Sequence, residues 1–529
     1  MAYYRYELTI DKLLESGART FPNREIVYRD LRRYSFQSFT DSVKRLVSGL
    51  RKLGVKKGDR VAVIDWDTDV YMHAYYAIPM LGATLHTVNI RYPPEIILKT
   101  LIAAEDKWII IRDEFLPLLE KAKSLLPSSV KIIAYSESKE PVKGYVNFWD
   151  LLNEDPTEFF DISENEQATI FFTSGTTGDP KGVWFTHRDI VLHTVGTALT
   201  FSRSPTYITP KDTFLILVPM FHVHAWGLPY VALINGNKYV LPGKYDYGLI
   251  LKLMEREGVT FSAMVPTILH MILNHPEAVN YLNVFKNWKV VIGGSALPEG
   301  LAIKARDMGI TVLAGYGLSE TCPVLTVGFH NGLLENERED IKFKEQITAG
   351  TPLPFVDLRI MDPLSGELLP KNKIGEIVVR SPWLTREYYK DPERTSDLWR
   401  FGWLHTGDLG YIDDYGYVRI VDRTKDAVKS GGEFIPTLIL ENIISLHPSV
   451  SQVAVVGMKD EKWGERPVAF IVPKGNFNEN DLRAFLKEMV RQGKIQDWWI
   501  PDRFILIDSM PLTSTNKIDK KVLREKLGK

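Results

Sequence analysis

The sequence predicts a large α/β N-terminal domain followed by a small α+β C-terminal domain. Three observations carry this. Residues 1–345 alternate short apolar runs, Gly- or Pro-rich loops and helical patterns. From 350 to about 421 the pattern changes to short strands between turn signals. The remaining tail, roughly 100 residues, has the size of a small domain with strands and an amphipathic helix of its own. A chain of 529 residues has room for two to four domains or subdomains.

In the first stretch, residues 61–64 form an apolar run followed by a helical pattern from Asp69 to Leu81, and runs at 108–111 and 130–134 repeat the theme. Pro93 suits a first helical turn. Such alternation predicts two doubly wound, mostly parallel sheets with helices on both faces. Further strands are expected at 168–172, 214–218, 260–265, 289–292 and 311–314, each running into a loop of Gly, Pro or small polar residues. Ligands bind outside the carboxyl ends of parallel strands, so if these five are neighbours their loops line one crevice. Strands at 358–362, 376–380 and 417–421 predict a small antiparallel sheet or barrel. The tail has strands at 453–456 and 469–472 and a helix at 481–492, and Trp498 and Trp499 are expected in its core.

Charge and cysteine content narrow the function. A net charge of -1 gives no case for nucleic acid or an anionic membrane as partner. No run is long and apolar enough for a signal peptide or a membrane span. One cysteine, Cys322, excludes an intrachain disulfide and favours a reducing, cytoplasmic setting. No base stands near it in sequence, so it reads as packing rather than as a nucleophile.

The string TSGTTGDPKG at 173–182 is the strongest local signal. Its hydroxyls and glycines can wrap a phosphate with backbone and side-chain donors, and Lys181 adds positive charge. The bland alternative is a surface turn. It is not the P-loop of NTPases, because Gly178 stands only three positions before Lys181 and Gly182 follows where Ser or Thr should be. His222 and His224 make an H-x-H pair, yet no acidic or Cys ligands accompany them at metal-site spacing.

The string at 173–182 resembles the phosphate loop of the adenylate-forming (AMP-binding) superfamily, which includes acyl-CoA synthetases, luciferases and peptide-synthetase adenylation domains. The resemblance extends over nearly the whole chain. It implies that Thr173, Ser174, Gly175, Thr176, Thr177 and Gly178 bind phosphate, with Thr176 also near the metal. GGSALP at 293–298 resembles the adenine-side loop, with Gly294 and Ser295 on the nucleotide and Ala296 facing the acyl group. Gly315 and YGLSE at 316–320 resemble the next motif, which implies that Gly315 and Gly317 lie on the nucleotide, Tyr316 stacks on adenine, Ser319 lies near the α-phosphate and Glu320 holds Mg²⁺. Asp408 in TGD resembles the ribose ligand. Arg423 and Lys425 fall in a hinge-like string at 422–426, with Arg423 also reaching ribose. Lys429 is implied at the phosphate, Gly431 and Gly432 beside a pantetheine arm, and Phe434 over adenine or along the coenzyme A channel. Lys517 resembles the lysine that drives adenylation, although Asn516 stands where the family usually has Gly. Asn tolerates left-handed backbone better than most residues.

In FHVHAW at 221–226, the resemblance has His222 orienting carboxylate and phosphate and Trp226 at the mouth of an acyl pocket, as in the fatty acyl-CoA synthetase branch. For His224 and Trp226 the alternative is core packing. The expectation is an acid–thiol ligase using ATP, Mg²⁺ and coenzyme A on a medium- or long-chain or branched aliphatic carboxylic acid. Its domains are expected at 1–422 and 423–529, the second mobile about a hinge at 423–426. Alternatives are a stand-alone adenylating enzyme serving a carrier protein, a luciferase-like oxidase, or a non-catalytic nucleotide sensor. Only 12 residues follow Lys517, so no fused carrier domain is expected. Oligomeric state is open, a homodimer included.

Overall fold

The computed structural model describes residues 6–122, 125–173, 180–363, 365–431, 433–511 and 518–528. The chain divides into two compact units, residues 1–357 with 380–404, and residues 358–379 with 405–529.

Two sheets build the first unit. The larger runs in the order Thr351–Pro352, Val324–Val327, Thr311–Gly317, Lys289–Ile292, Phe261–Met264, Thr213–Leu215, Lys238–Leu241, Glu25–Tyr28, Arg32–Ser35. From Thr311–Gly317 to Glu25–Tyr28 the strands are parallel, and the outer strands at both ends pair antiparallel. The smaller sheet runs Val146–Asn147, Lys131–Tyr135, Trp108–Arg112, Arg60–Ile64, Thr84–Thr87, Gln167–Thr173, Lys181–Thr186, parallel except for its last pair. Apolar β-rich runs such as Val61–Val63 and Ile109–Ile111 are buried, as strands of a parallel sheet covered on both faces must be.

The helix Asp69–Met80 stands between the sheets and is buried along its entire length. Its two polar side chains, Asp69 and His73, are hydrogen-bonded, and the rest of its surface is apolar or aromatic, as an enclosed helix requires. The Thr68 hydroxyl caps it by accepting the Tyr71 N–H. Arg32 of the larger sheet forks onto its Asp69 at 2.6 and 2.8 Å, and its Tyr75 ring stacks on Tyr230 at 5.7 Å.

One expectation needs correcting. The strand Gln167–Thr173 is not a neighbour of the other four loop-bearing strands; it lies in the smaller sheet, with Leu85 opposite Thr169. Parallel strands of both sheets have the same apolar signature, so sequence gave no sheet address. The site therefore draws on the ends of two sheets rather than on one row of loops.

The second unit carries antiparallel strands Asp357–Met361, Gly375–Arg380, Trp403–Ile412 and Val418–Arg423. Its remaining sheet is dominated by a hairpin, Val450–Asp460 with Gly464–Pro473. The sequence exposed only the apolar middle of these strands, because their ends carry Lys459, Glu465 and Arg466. The helix expected at 481–492 spans Glu479–Arg491. Trp498 and Trp499 meet edge-on at 6.2 Å and pack, partly buried, on this core. Among the described residues no helix is long and apolar enough to cross a membrane.

Trp288 anchors the larger sheet. It is fully buried, stacks on Phe285 at 5.6 Å and donates its Nε1–H to Ser262 Oγ at 2.9 Å. Trp288→Ala should cost about 3–5 kcal/mol, seen as a lower urea midpoint. Trp288→Phe should recover most of it.

Candidate functional site

Thr173 and Lys181 are opposite each other at the loop end of a hairpin between Gln167–Thr173 and Lys181–Thr186. Ser174, Gly175, Thr176, Thr177 and Gly178, the rest of the expected phosphate loop, lie outside the described residues. Lys181 Nζ sits 4.6 Å from the centre of the Tyr388 ring. The Tyr388 hydroxyl donates to Glu320 Oε1 at 2.7 Å, and the Thr385 N–H donates to the Glu320 carbonyl at 2.9 Å. A cation, a phenol and a carboxylate thus form one contiguous group. Burial, reinforced by Glu320, pushes the Tyr388 phenol well up, so it remains a donor. The sequence reading missed Tyr388. The available signal was the Asp391–Pro392 helix start, which fixes the segment: Asp391 caps the helix Pro392–Leu398.

The other expected loops end strands of the larger sheet. Gly315, Tyr316 and Gly317 finish the strand Thr311–Gly317, whose register against Val324–Val327 shifts at Tyr316 and Gly317. A Cβ on Gly317 would stand 1.9 Å from the Pro323 carbonyl oxygen, so no side chain fits. The short 3₁₀ turn Ser319–Thr321 follows and presents Glu320. Gly294, Ser295 and Ala296 are exposed on the loop after Lys289–Ile292. Gly293 is buried, and a Cβ there would stand 3.0 Å from the Trp226 ring. The structure therefore places Trp226, 7% exposed, beneath the Gly293–Gly294 backbone.

The Trp226 segment is conformationally unusual. Val223, His224, Ala225, Trp226 and Gly227 have φ of 41, 58, 49, 58 and 73°, a continuous left-handed turn. Left-handed helix costs L-residues about 1–2 kcal/mol each, and nothing in the sequence announced it. His222, exposed, precedes it. His224 is fully buried: its Nε2 is 2.8 Å from Thr169 Oγ1, and Phe171, Phe185, Tyr75 and Tyr230 rings surround it at 5.6–6.3 Å. Burial, with His222 nearby, pulls it down to about 3, so it is neutral and serves packing. His193, also missed by the sequence reading, accepts the Val324 N–H on Nε2 at 3.2 Å. Its Nδ1 faces Gly227, 2.8 Å from where a Cβ would stand. One imidazole thereby connects the strand after the Glu320 turn to the end of the left-handed turn. Cys322 is buried and burial pushes its thiol up, as suits a packing residue. Among the described residues no three His, Cys, Asp or Glu side chains converge as a metal cluster.

In the second unit, Asp408 and Arg423 are cross-strand partners, Arg423 Nε standing 3.4 Å from Asp408 Oδ1. The pair assembles the two residues expected at ribose. Lys425 is exposed, and partial desolvation of its ammonium lowers its pKa. Lys429 lies 5.9 Å from the Phe434 ring centre, and Phe434 packs beside Leu409, Val421 and Ala427. Gly431 has φ +61° and donates its N–H to the Trp463 carbonyl at 2.8 Å. Gly432 and Lys517 lie outside the described residues.

The family model of AMP-binding enzymes matches residues 14–389, and that of the AMP-binding enzyme C-terminal domain matches residues 440–517. The chain belongs to the AMP-binding enzyme family. This AMP-binding enzyme is 38% identical to a long-chain-fatty-acid–CoA ligase of Thermus thermophilus, over 98% of this chain and 95% of that one. It is 34% identical to a medium-chain-fatty-acid–CoA ligase of Ectopseudomonas oleovorans, over 99% and 97%. Among solved structures it resembles a Mycobacterium tuberculosis fatty acyl CoA synthetase, with 26% identity, a TM-score of 0.75 and 98% of both chains covered.

Gly317→Ala should be severe for an AMP-binding enzyme. Overpacking costs typically about 1–3 kcal/mol, and here backbone rather than a flexible side chain must give way. Calorimetric AMP titration should show weakened binding, alongside a lowered denaturation midpoint.

Proposed function

We propose that this enzyme activates a fatty acid with ATP and transfers the acyl group to the thiol of coenzyme A. What carries the reading is the apolar turn ending in Trp226. It lies against the Gly293–Gly294 loop, whose neighbouring strand runs on into the Glu320–Tyr388–Lys181 group. Apolar side chains thus stand one strand away from groups suited to phosphate. The substrate class we favour is a medium- or long-chain or branched aliphatic acid, and the compartment the cytoplasm.

In the first half-reaction a carboxylate oxygen attacks the α-phosphorus. A C–O–P bond forms, the bond to the bridging oxygen of the β-phosphate breaks, and pyrophosphate leaves. No covalent enzyme intermediate is needed; positioning and charge stabilisation do the catalysis. His222 would orient carboxylate and phosphate, and Lys181 and Lys517 would meet their negative oxygens. Asp408 and Arg423 would hold ribose. Glu320 offers the hard oxygen that Mg²⁺ prefers, and an ion bound there and near Thr176 would neutralise phosphate charge. In the second half-reaction the thiol sulfur attacks the acyl carbon, a thioester forms, the bond from that carbon to the phosphate oxygen breaks, AMP leaves and the thiol proton passes to solvent. We propose that the 423–529 domain turns about Lys425 between the halves, withdrawing Lys517 and bringing Gly431 and Gly432 to the pantetheine arm.

Thioester should form only with ATP, Mg²⁺, coenzyme A and an aliphatic acid, with AMP and pyrophosphate as products. Release of ADP and phosphate would exclude the adenylate route. Trp226→Ala should shift chain-length preference, since each methylene is worth about 1–3 kcal/mol in a pocket. An unchanged profile in a folded variant would remove Trp226 from the acyl site. Lys517→Ala should slow adenylate formation about 10²–10³-fold, the usual cost of a lost oxyanion donor. Given preformed acyl-adenylate, it should still make thioester at near the normal rate. Single-turnover kinetics of each half separate the two, and equal slowing of both would rule out the alternating-domain account.

A further inference from the structure

The turn that carries His222 and Trp226 is anchored at its start. The Met220 N–H donates to Asp67 Oδ1 at 2.7 Å, and the Met220 carbonyl accepts the Tyr75 hydroxyl. The Phe221 carbonyl accepts the Thr87 hydroxyl at 3.0 Å. The other Asp67 oxygen accepts the Tyr245 hydroxyl at 2.7 Å, and the Asp67 carbonyl accepts the Gly243 N–H at 2.9 Å. Asp67 lies just beyond the central strand Arg60–Ile64 of the smaller sheet and is buried. It ties the carboxyl end of one sheet to a loop of the other, two residues before His222. Tyr75 and Thr87 bind the turn with neutral hydroxyls, whereas Asp67 binds it with a group that ionises.

We propose that Asp67 is a positioning residue for acid activation, its carboxylate setting the Met220 peptide and through it the His222–Trp226 turn. This rests on the function proposed above. The charged or titratable groups facing Asp67 are Arg91, Tyr245, Tyr71 and Tyr75 of the helix Asp69–Met80, and Tyr239 of the strand Lys238–Leu241. Arg91 also lies 6.0 Å from the Phe221 ring centre. Asp65, on the same loop, faces Tyr71 but bonds to Thr68 and Tyr135 instead.

Burial pushes the Asp67 carboxyl up to about 7, against the opposing effect of the Met220 and Tyr245 hydrogen bonds and Arg91. Below that pH the carboxyl is neutral and its bond to Met220 an ordinary one. Above it the bond is charge-assisted and roughly twice as strong. Productive acid binding should therefore improve as pH rises through about 7. Folding stability runs the other way: the folded value exceeds the ordinary 3.8, so the folded chain holds the proton longer and this contribution falls between those two values as pH rises.

The test is kcat/KM for acid and for ATP, measured separately from about pH 5.5 to 8.5. Asp67→Asn retains an acceptor for Met220 and removes the charge. It should lower kcat/KM for the acid about tenfold at the alkaline end, in line with losing a charged hydrogen bond, abolish the rise near neutrality and affect ATP less than the acid, because His222 is one of several groups meeting the phosphates whereas the whole turn faces the acid. Asp65→Asn should keep the rise. Amide hydrogen exchange at Met220, corrected for intrinsic pH dependence, should show protection increasing across the same range in the wild type and constant in Asp67→Asn. A rise that persists in Asp67→Asn, a rise lost in Asp65→Asn, or parallel loss for acid and ATP would each overturn the assignment. If the wild type shows no acid-dependent pyrophosphate exchange, the proposed function fails instead, and the exchange protection at Met220 still decides whether Asp67 holds the turn.

Discussion

The left-handed turn from Val223 to Gly227 is the constraint on which the rest of the first unit depends, because both parallel sheets converge on it. Four residues with side chains accept positive φ there, at a combined cost of several kcal/mol by the usual penalty of about 1–2 each. Such a conformation persists only where its surroundings over-determine it. Here they do. His224 is enclosed by rings and bonded to Thr169 of the smaller sheet, while Trp226 is pressed under the glycine backbone of the larger. Asp67, Tyr75 and Thr87 fix the entry, and His193 stands at the exit.

The polar side of the site follows a different logic. Lys181, Tyr388 and Glu320 come from three separate stretches and meet through one phenol ring and its hydroxyl. Tyr388 touches both charged groups, the cation with its ring face and the carboxylate with its hydroxyl. The tight Gly317–Pro323 approach leaves the Glu320 turn little freedom to drift.

Much of this was legible in the sequence, for identifiable reasons. Parallel strands buried on both faces are written as apolar runs, and the helix Asp69–Met80 as a helical pattern after one of them. Loops that approach ligands closely are written in Gly, Ser and Thr. What stayed hidden is what depends on three-dimensional address. The strand Gln167–Thr173 carries the same signature as the strands of the larger sheet, because pattern does not encode pairing partners. Tyr388, His193 and Asp67 belong to no contiguous string of phosphate-binding character; their importance arises from contacts across 68, 131 and 153 residues of chain. The turn at 223–227 was hidden most fully, since Val, His, Ala and Trp are poor advertisements for left-handed backbone.

Ala225 draws the two demands on this turn apart. It is fully buried, makes the least use of its side chain, and still adopts φ 49°. Glycine at that position would relieve conformational strain in the folded state, yet it would also widen the range of shapes open to the segment under Trp226. A backbone free of strain and a backbone confined to one shape therefore call for different letters at 225, and alanine is the compromise that keeps the shape.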